Sequence, residues 1–336
     1  MADSPEKEPP PTPIPPRITE HARTSWQSYA LAGLLRTTGR PLGNVWPHTP
    51  QALGAIDPAL VTLLRPALRA HGPDTDRSWE AVDAAGVPAR IARASTVVAP
   101  KRTILHMHGG GFVFGSAAVY REFAYRLSRA ADAEVILFDY RHPPQHNADA
   151  MTGDCLAVYQ WARHRNPALP LVVSGDSAGS NLAVGTLVAA RDAGLAMPTA
   201  LISLSGWYDL DYRHPRRAPR DAFFSLPFAA RSARMLGAGT NLPPSLRPLE
   251  ADLTGLPPTL LQLGAREPLR EGNRRLATTL GAAGVPVQLQ LWQHQVHVFQ
   301  LFSALLPEGR HALDEITTFL DNLATATTAP KHTNLR

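Results

Sequence analysis

The chain has 336 residues, of which 44% are hydrophobic and 18% are charged, so it can bury the core of one large α/β domain or of two smaller ones. The formal net charge is +5, but the 33 basic residues are spread along the chain among 28 acidic ones, which argues against a nucleic-acid partner. The single cysteine, Cys155, excludes an internal disulfide and is expected to be a small buried side chain rather than a reactive thiol.

Proline dominates the N-terminal segment, with seven prolines among the first twenty residues. We therefore expect residues 1–17 to form a disordered Pro-rich tail, and residues 326–336 to form a flexible tail at the other end. The N-terminal segment lacks the apolar region of a secretory signal, and no stretch reaches the ~18 apolar residues that a membrane-spanning helix needs. These features predict a cytoplasmic protein without stable membrane insertion.

Two kinds of segment follow along the chain. Residues 18–75 carry apolar residues at helical spacing, with prolines and glycines at the ends of each run. From about residue 85, short apolar runs alternate with longer helical patterns, until residues 207–257 interrupt them with a segment rich in aromatic residues, arginine and proline. The expected strands are 102–108, 133–140, 169–175, 200–206, 258–264 and 287–292. Apolar strands between helices predict an α/β fold with a mostly parallel sheet covered on both faces, and the long insertion suits part of a lid or cap.

The sequence GDSAG at residues 175–179 matches the G-x-S-x-G pattern, with Ser177 at its centre. The motif directly follows an apolar strand and precedes a helical stretch, as a nucleophile elbow requires. In such a turn the serine lies at the edge of the sheet beside a helix N-terminus, where partial positive charge favours a developing oxyanion. We therefore predict that Ser177 is a nucleophile rather than a helix-capping serine.

A serine nucleophile needs a general base and an acid that orients the base. In α/β hydrolases the acid and then the histidine follow the serine along the chain. The loop after the last expected strand offers His294 and His297, and the spacing alone does not choose between them. For the acid, Glu267 comes first after the preceding strand and is followed by a stiffening proline, while Glu271 and Asp209 are alternatives. The remaining histidines after the serine are His214, His311 and His332.

Three consecutive glycines, Gly109, Gly110 and Gly111, follow the first expected strand in the sequence HMHGGGFVFG. Acyl transfer needs two or three N–H donors directed at an oxyanion, one of them from the residue after the nucleophile, here Ala178. A phosphate cradle would need a Walker-type lysine or a G-x-G-x-x-G sequence opening a βαβ unit, and the sequence has neither. We therefore predict an oxyanion hole formed by these glycines and Ala178, with Gly110 and Gly111 as the preferred donors.

Together these segments resemble the hormone-sensitive-lipase-like branch of the α/β hydrolases, which are bacterial carboxylesterases with HGGG and GDSAG motifs. The resemblance covers about residues 80–325 and implies an α/β-hydrolase fold. Members of this branch carry His-x-Phe near the end of the chain, which HVF matches at His297. Their acid lies in a Gly-x-x-Asp-Pro-Leu stretch, and the sequence GAREPL places Glu267 there, with a side chain one methylene longer than aspartate. The resemblance therefore implies a triad of Ser177, His297 and Glu267.

The resemblance also implies a domain organisation and a function. Residues 76–206 and 251–325 correspond to the catalytic domain, residues 18–75 to N-terminal cap helices and residues 207–250 to a cap insertion. The expected reaction is the hydrolysis of short- to medium-chain acyl esters. The candidate pocket residues are Phe112, Trp207, Phe223 and Phe224.

Neither a cofactor nor a metal is expected, because His106 and His108 lack a nearby third ligand in the sequence. The expected partner is a small-molecule ester, and a homodimer is the one assembly considered. The same triad would also serve lactone or amide hydrolysis, acyl transfer or another step on a small molecule. A binding protein that uses the pocket without catalysis is a second alternative.

Overall fold

One sheet of nine strands organises the molecule, whose computed structural model describes residues 11–69, 78–211, 221–237, 239 and 242–328. The strands are β1 (Arg17–His21), β2 (Ser78–Ala84), β3 (Val87–Arg93), β4 (Arg102–Met107), β5 (Ala133–Phe138), β6 (Leu171–Asp176), β7 (Ala200–Leu204), β8 (Thr259–Gly264) and β9 (Val287–Trp292). Their spatial order is β1-β9-β8-β7-β6-β4-β5-β3-β2. Neighbouring strands are parallel except that β3 is antiparallel to both β2 and β5. The mostly parallel sheet of the predicted α/β-hydrolase fold is therefore confirmed.

Ten helices lie in the described part of the chain, besides two short 3₁₀ turns. They are α1 (Trp26–Thr37), α2 (Gly39–Val45), α3 (Pro50–Gly54), α4 (Ile56–Arg69), α5 (Arg121–Ala131), α6 (Ala148–Arg165), α7 (Ala178–Asp192), α8 (Leu226–Met235), α9 (Arg270–Ala282) and α10 (Pro307–Thr328). Apolar side chains of α6, α7 and α9 cover one face of the sheet, and those of α5 and α10 cover the other. Cys155 lies fully buried in the first of these layers, and burial raises the pKa of its thiol.

The six expected strands match β4 to β9 to within two residues at each end. Every residue of β4, β5, β6, β7 and β8 is buried, because helices cover both faces of the sheet. This double cover requires apolar residues on both sides of a strand, which produces the continuous apolar runs seen in the sequence.

The first three strands were not expected from the sequence. β1 lies at the edge of the sheet, where it pairs in parallel with β9, so the predicted helical region 18–75 begins with a strand rather than a helix. Its sequence, RITEH, is mostly exposed and therefore lacks an apolar run. β2 and β3 form an antiparallel pair at the opposite edge, with exposed positions in both strands.

N-terminal helices and the insertion between β7 and β8 contact each other above the sheet. α2 packs on α8, and the guanidinium of Arg231 donates hydrogen bonds to the main-chain oxygens of Gly43, Asn44 and Trp46 at 3.1–3.2 Å. These contacts are consistent with a two-part cap, although the division into domains stays a prediction. Residues 1–10, 212–220 and 329–336, which include most of both predicted tails, lie outside the described residues. None of the helices that are described is long and apolar enough to cross a membrane.

Candidate active site

Ser177 occupies a sharp turn between β6, which ends at Asp176, and α7, which begins at Ala178. Its backbone has φ 50° and ψ −117°, a conformation that non-glycine residues rarely adopt outside functional sites. The flanking glycines allow the turn to close, because a Cβ on Gly179 would lie 1.9 Å from the main-chain oxygen of Met107. Ser177 therefore has the geometry of a nucleophile elbow.

His297 lies in the loop after β9, and its ring contacts two of the predicted site residues. Nε2 is 2.9 Å from Oγ of Ser177, and Nδ1 is 2.7 Å from Oε2 of Glu267. His294 points elsewhere, with its ring 5.3 Å from that of Tyr29. The loop thus brings the second of its two histidines, rather than the first, to the serine.

Glu267, in the loop after β8, is fully buried beside the histidine. Its Oε1 accepts hydrogen bonds from the hydroxyl of Ser205 at 2.7 Å and from the N–H of Gly264 at 2.6 Å. Of the alternative acids, Glu271 is exposed in the first turn of α9, and a carboxylate oxygen of Asp209 lies 3.9 Å from Arg275. Among these three candidates, only Glu267 contacts His297.

Three carboxylates determine the electrostatics of His297. Burial disfavours the imidazolium, but the charge and hydrogen bond of Glu267, with the charges of Asp221 and Asp176, outweigh it and raise the pKa of His297 above its ordinary value. The site therefore stabilises a proton on the imidazole, as a base that accepts one during a reaction requires.

The glycine run after β4 holds one N–H group that is already in use. Gly109 donates to Oδ1 of Asp176 at 2.8 Å, so the prediction that Gly109 belongs to the oxyanion hole is not supported by its geometry. The N–H groups of Gly110, Gly111 and Ala178 have no acceptor within the part of the chain that the structure describes. Gly110 has φ 116°, and a Cβ there would lie 1.9 Å from the oxygen of Phe114, so only glycine fits.

The two histidines of the glycine loop are structural in their contacts. His106 bonds the hydroxyl of Ser174 and the carboxylate of Asp176, each at 3.1 Å. His108 stacks on Tyr140, and burial lowers the pKa of its imidazole to about 4. No group of three or more His, Cys, Asp or Glu side chains among the described residues is placed to hold a metal ion.

The four predicted pocket residues differ in their positions. Phe112 and Trp207 are almost fully buried and face each other with ring centroids 5.5 Å apart. Phe224 lies with its ring centroid 4.7 Å from that of His297, in an edge-to-face arrangement. Phe223 is half-buried, and its ring packs edge-to-face on Phe302 with centroids 6.3 Å apart. Phe224 is therefore the pocket candidate with a direct contact to the proposed base.

Sequence reasoning gave no role to two side chains that contact the site. Ser205, at the end of β7, bonds Glu267 and also accepts the N–H of Val298 at 3.1 Å. Asp221, in the insertion, accepts the main-chain N–H of His297 at 3.0 Å. Neither Ser205 nor Asp221 belongs to one of the motifs that predict the triad and the oxyanion hole.

Known proteins resemble this chain in sequence and in fold. A family model described as alpha/beta hydrolase fold matches residues 104–301. The chain is 37% identical over 224 residues to an acetyl-hydrolase of Streptomyces hygroscopicus, covering 65% of this chain and 75% of that protein. It is 32% identical over 293 residues to esterase LipU of Mycobacterium tuberculosis, covering 83% of this chain and 96% of that protein. A crystal structure of an esterase from the bacterial hormone-sensitive lipase family superposes with a TM-score of 0.78 at 32% identity, covering 90% of this chain and 99% of that one.

Proposed function

The chain belongs to the α/β hydrolase fold family, in its hormone-sensitive-lipase-like branch, and is an ester hydrolase; from this premise we propose that it cleaves carboxylic esters through a serine acyl-enzyme. The observation that carries the proposal is the continuous chain of contacts from Ser177 through His297 to Glu267, at 2.9 and 2.7 Å. Such a chain joins a nucleophile, a base and an orienting acid.

In the first half of the reaction, Oγ of Ser177 attacks the ester carbonyl while Nε2 of His297 takes the hydroxyl proton. Glu267 accepts a hydrogen bond from the Nδ1–H of the histidine, which keeps Nε2 free as the proton acceptor and stabilises the imidazolium that forms. His297 then gives its proton to the leaving alcohol, and the acyl group remains on Ser177.

In the second half, water attacks the acyl carbonyl while His297 again takes a proton. The bond to Oγ of Ser177 then breaks, His297 returns the proton to Oγ, and the carboxylic acid product leaves. The N–H groups of Gly110, Gly111 and Ala178 are the donors proposed for the oxyanion in both tetrahedral intermediates. Their free state in the described structure and the position of Ala178 at the start of α7, where the helix dipole favours negative charge, support this assignment.

We place the substrate among esters of short- to medium-chain acids. The ring centroid of Phe224 lies 4.7 Å from that of His297, and the side chain of Trp207 packs edge-to-face on Phe224 with centroids 6.1 Å apart. Aromatic walls this close to the nucleophile and base leave little room for a bulky acyl group. The name of the acetyl-hydrolase relative supports the short end of this range.

The decisive variant is Ser177→Ala, assayed with p-nitrophenyl acetate and butyrate. Removing the nucleophile should lower kcat by at least about 10⁴-fold. Ser180→Ala is the matched control, since the Ser180 hydroxyl donates to the main-chain oxygen of Gly175 at 2.7 Å rather than to a triad residue. A fluorophosphonate should label the wild-type protein on the peptide that contains Ser177, and equal amounts of acid and alcohol should distinguish hydrolysis from acyl transfer. Full activity in Ser177→Ala would refute the mechanism.

A further inference from the structure

A buried carboxylate from the insertion holds the backbone of the proposed base. Asp221 is 4% exposed, and its Oδ2 accepts the main-chain N–H of His297 at 3.0 Å. Its Oδ1 accepts the N–H groups of Phe223 and Phe224, each at 2.7 Å. One side chain therefore joins the chain before α8 to the loop after β9.

The contacts of Asp221 suit a charged carboxylate. Three N–H groups point at its two oxygens, and a protonated carboxyl would bring a donor to a place where all neighbours already donate. Hydrogen bonds from N–H groups to a charged acceptor are shorter and stronger than neutral ones, in keeping with the 2.7 Å of the bonds from Phe223 and Phe224. The pKa of Asp221 is raised, because burial and the nearby charge of Glu267 outweigh the opposing effects of His297 and of the N–H groups of Phe224 and Phe223.

His297 is thus held at three points by three different elements. Glu267 bonds its Nδ1 from the loop after β8, Asp221 bonds its N–H from the insertion, and Ser205 bonds the N–H of the next residue, Val298. Val298 has a φ of 50°, in the left-handed region that a residue with a β-branched side chain rarely adopts. Such a backbone needs external contacts to persist, and Asp221 provides one of them.

We propose that Asp221 is a positioning residue for ester hydrolysis, which fixes the main chain of His297 and adds a negative charge that supports the imidazolium. This role rests on the proposed function, and it makes the insertion part of the machinery that places the base. The same carboxylate aligns Phe224, whose ring packs edge-on against the imidazole at 4.7 Å. A displaced insertion would therefore misplace both the base and the aromatic wall beside it.

The charged groups around the base define the expected pH effect. Glu267, Asp221 and Asp176 all raise the pKa of His297, against the opposing effect of burial. Removing the charge of Asp221 disfavours the imidazolium, so the histidine loses its proton at a lower pH. The acid limb of the kcat/KM profile should then move to lower pH. If the variant instead exposed His297 to water, the pKa of the histidine would rise and the limb would move to higher pH.

The test is Asp221→Asn, which keeps the shape of the side chain and removes its charge. The amide oxygen can still accept the N–H groups of the two phenylalanines, but its NH₂ then faces the N–H of His297. We expect kcat to fall by about 10- to 100-fold through misplacement of the base, with little change in KM, together with the shift of the acid limb. Labelling by a fluorophosphonate counts the competent sites, so partial unfolding changes the amplitude of the profile and not its midpoint.

Ser225→Ala is the matched control in the same insertion. Its hydroxyl is buried, bonds Asn44 at 2.9 Å and caps α8 through the N–H of Phe228, but it does not touch His297. Its acid limb should stay at the wild-type pH whatever the effect on folding. Asp221→Ser is a second charge-removing variant with room for a water, and it should shift the limb in the same direction as the asparagine.

The outcomes separate this proposal from the proposed function. An unmoved acid limb in both Asp221 variants, with Ser177 still labelled, would overturn the role of Asp221 alone. Two variants that contain no labelled sites would also overturn it, because Asp221 would then act on the fold rather than on the base. Hydrolysis that survives in Ser177→Ala would instead refute the function on which the proposal rests.

Discussion

Replacing Glu267 by glutamine tests how the acid controls the base, because the surrounding donors dictate how the amide must sit. Oε1 accepts the N–H of Gly264 at 2.6 Å, a main-chain donor that cannot reverse its direction. The amide oxygen of the glutamine must therefore take this position, and its NH₂ must face Nδ1 of His297. Nδ1 then has to accept a hydrogen bond, which puts the ring proton on Nε2 and leaves no acceptor for the hydroxyl of Ser177.

The expected loss follows from this reversed tautomer. In the serine-triad template, the corresponding exchange of acid for amide lowers kcat by about 10⁴-fold, and we expect a fall of about 10³- to 10⁴-fold for Glu267→Gln. This corresponds to about 4–5.5 kcal/mol of lost transition-state stabilisation. Since Glu267 is the main cause that raises the pKa of His297, the acid limb of the profile should also move to lower pH in the variant.

The assay is the hydrolysis of p-nitrophenyl butyrate between pH 5 and 9, with sites counted by a fluorophosphonate. Glu271→Gln is the matched control. Glu271 lies four residues after Glu267 and is exposed, so this variant should have wild-type kinetics. If Glu267→Gln kept its activity within tenfold of wild type, the assignment of Glu267 as the acid would be refuted. A loss in Glu271→Gln as large as that in Glu267→Gln would refute it as well.

Two further substitutions test the fold around the site. Gly179→Ala would place a Cβ 1.9 Å from the main-chain oxygen of Met107 and should lower the free energy of unfolding by more than about 3 kcal/mol. Gly153→Ala, in α6, has open space around the new methyl group and should raise the free energy of unfolding by about 0.5–1 kcal/mol. Thermal unfolding measures both, and equal stabilities would contradict the close approach at Gly179. Because burial lowers the pKa of His108 to about 4, the unfolded chain binds a proton there below pH 6.5 and the folded protein does not. The free energy of unfolding should therefore fall by about 3 kcal/mol between pH 6.5 and 4 because of His108. Urea titrations should show that the free energy of unfolding depends less on pH in His108→Gln than in the wild type. The control His164→Gln, at an exposed histidine, should keep the wild-type dependence.

The central sheet could be predicted from sequence because of where its strands lie. β4 to β8 are buried at every residue, and a strand that is covered on both faces has a mostly apolar sequence that can be recognised as a run. β1 pairs only with β9 at the edge, and its residues are mostly exposed, so its identity depends on a partner far along the chain. No local pattern in RITEH carries that information.

The same distinction holds within the site. Ser177 lies in a motif whose spacing reflects a turn, and the resemblance to the family implied His297. The direction of a main-chain N–H group, in contrast, cannot be read from the sequence. Gly109 was therefore grouped with its neighbours, although Asp176 holds its N–H. Asp221 acts through a main-chain group of another loop, so neither its residue type nor its spacing indicates its position. The choice of Glu267 over its rivals depended on a family motif until the geometry favoured it.

The pairing of β1 with β9 bears on when the protein becomes active. Arg17 lies opposite Gln288, so this edge of the sheet closes only after nearly the whole chain is available, and closing so long a loop is slow. During synthesis the serine leaves the ribosome 120 residues before the histidine that it contacts. A nascent chain that already carries Ser177 therefore has neither His297 nor a closed sheet edge, so the proposed nucleophile and base can meet only after most of the chain has been synthesised.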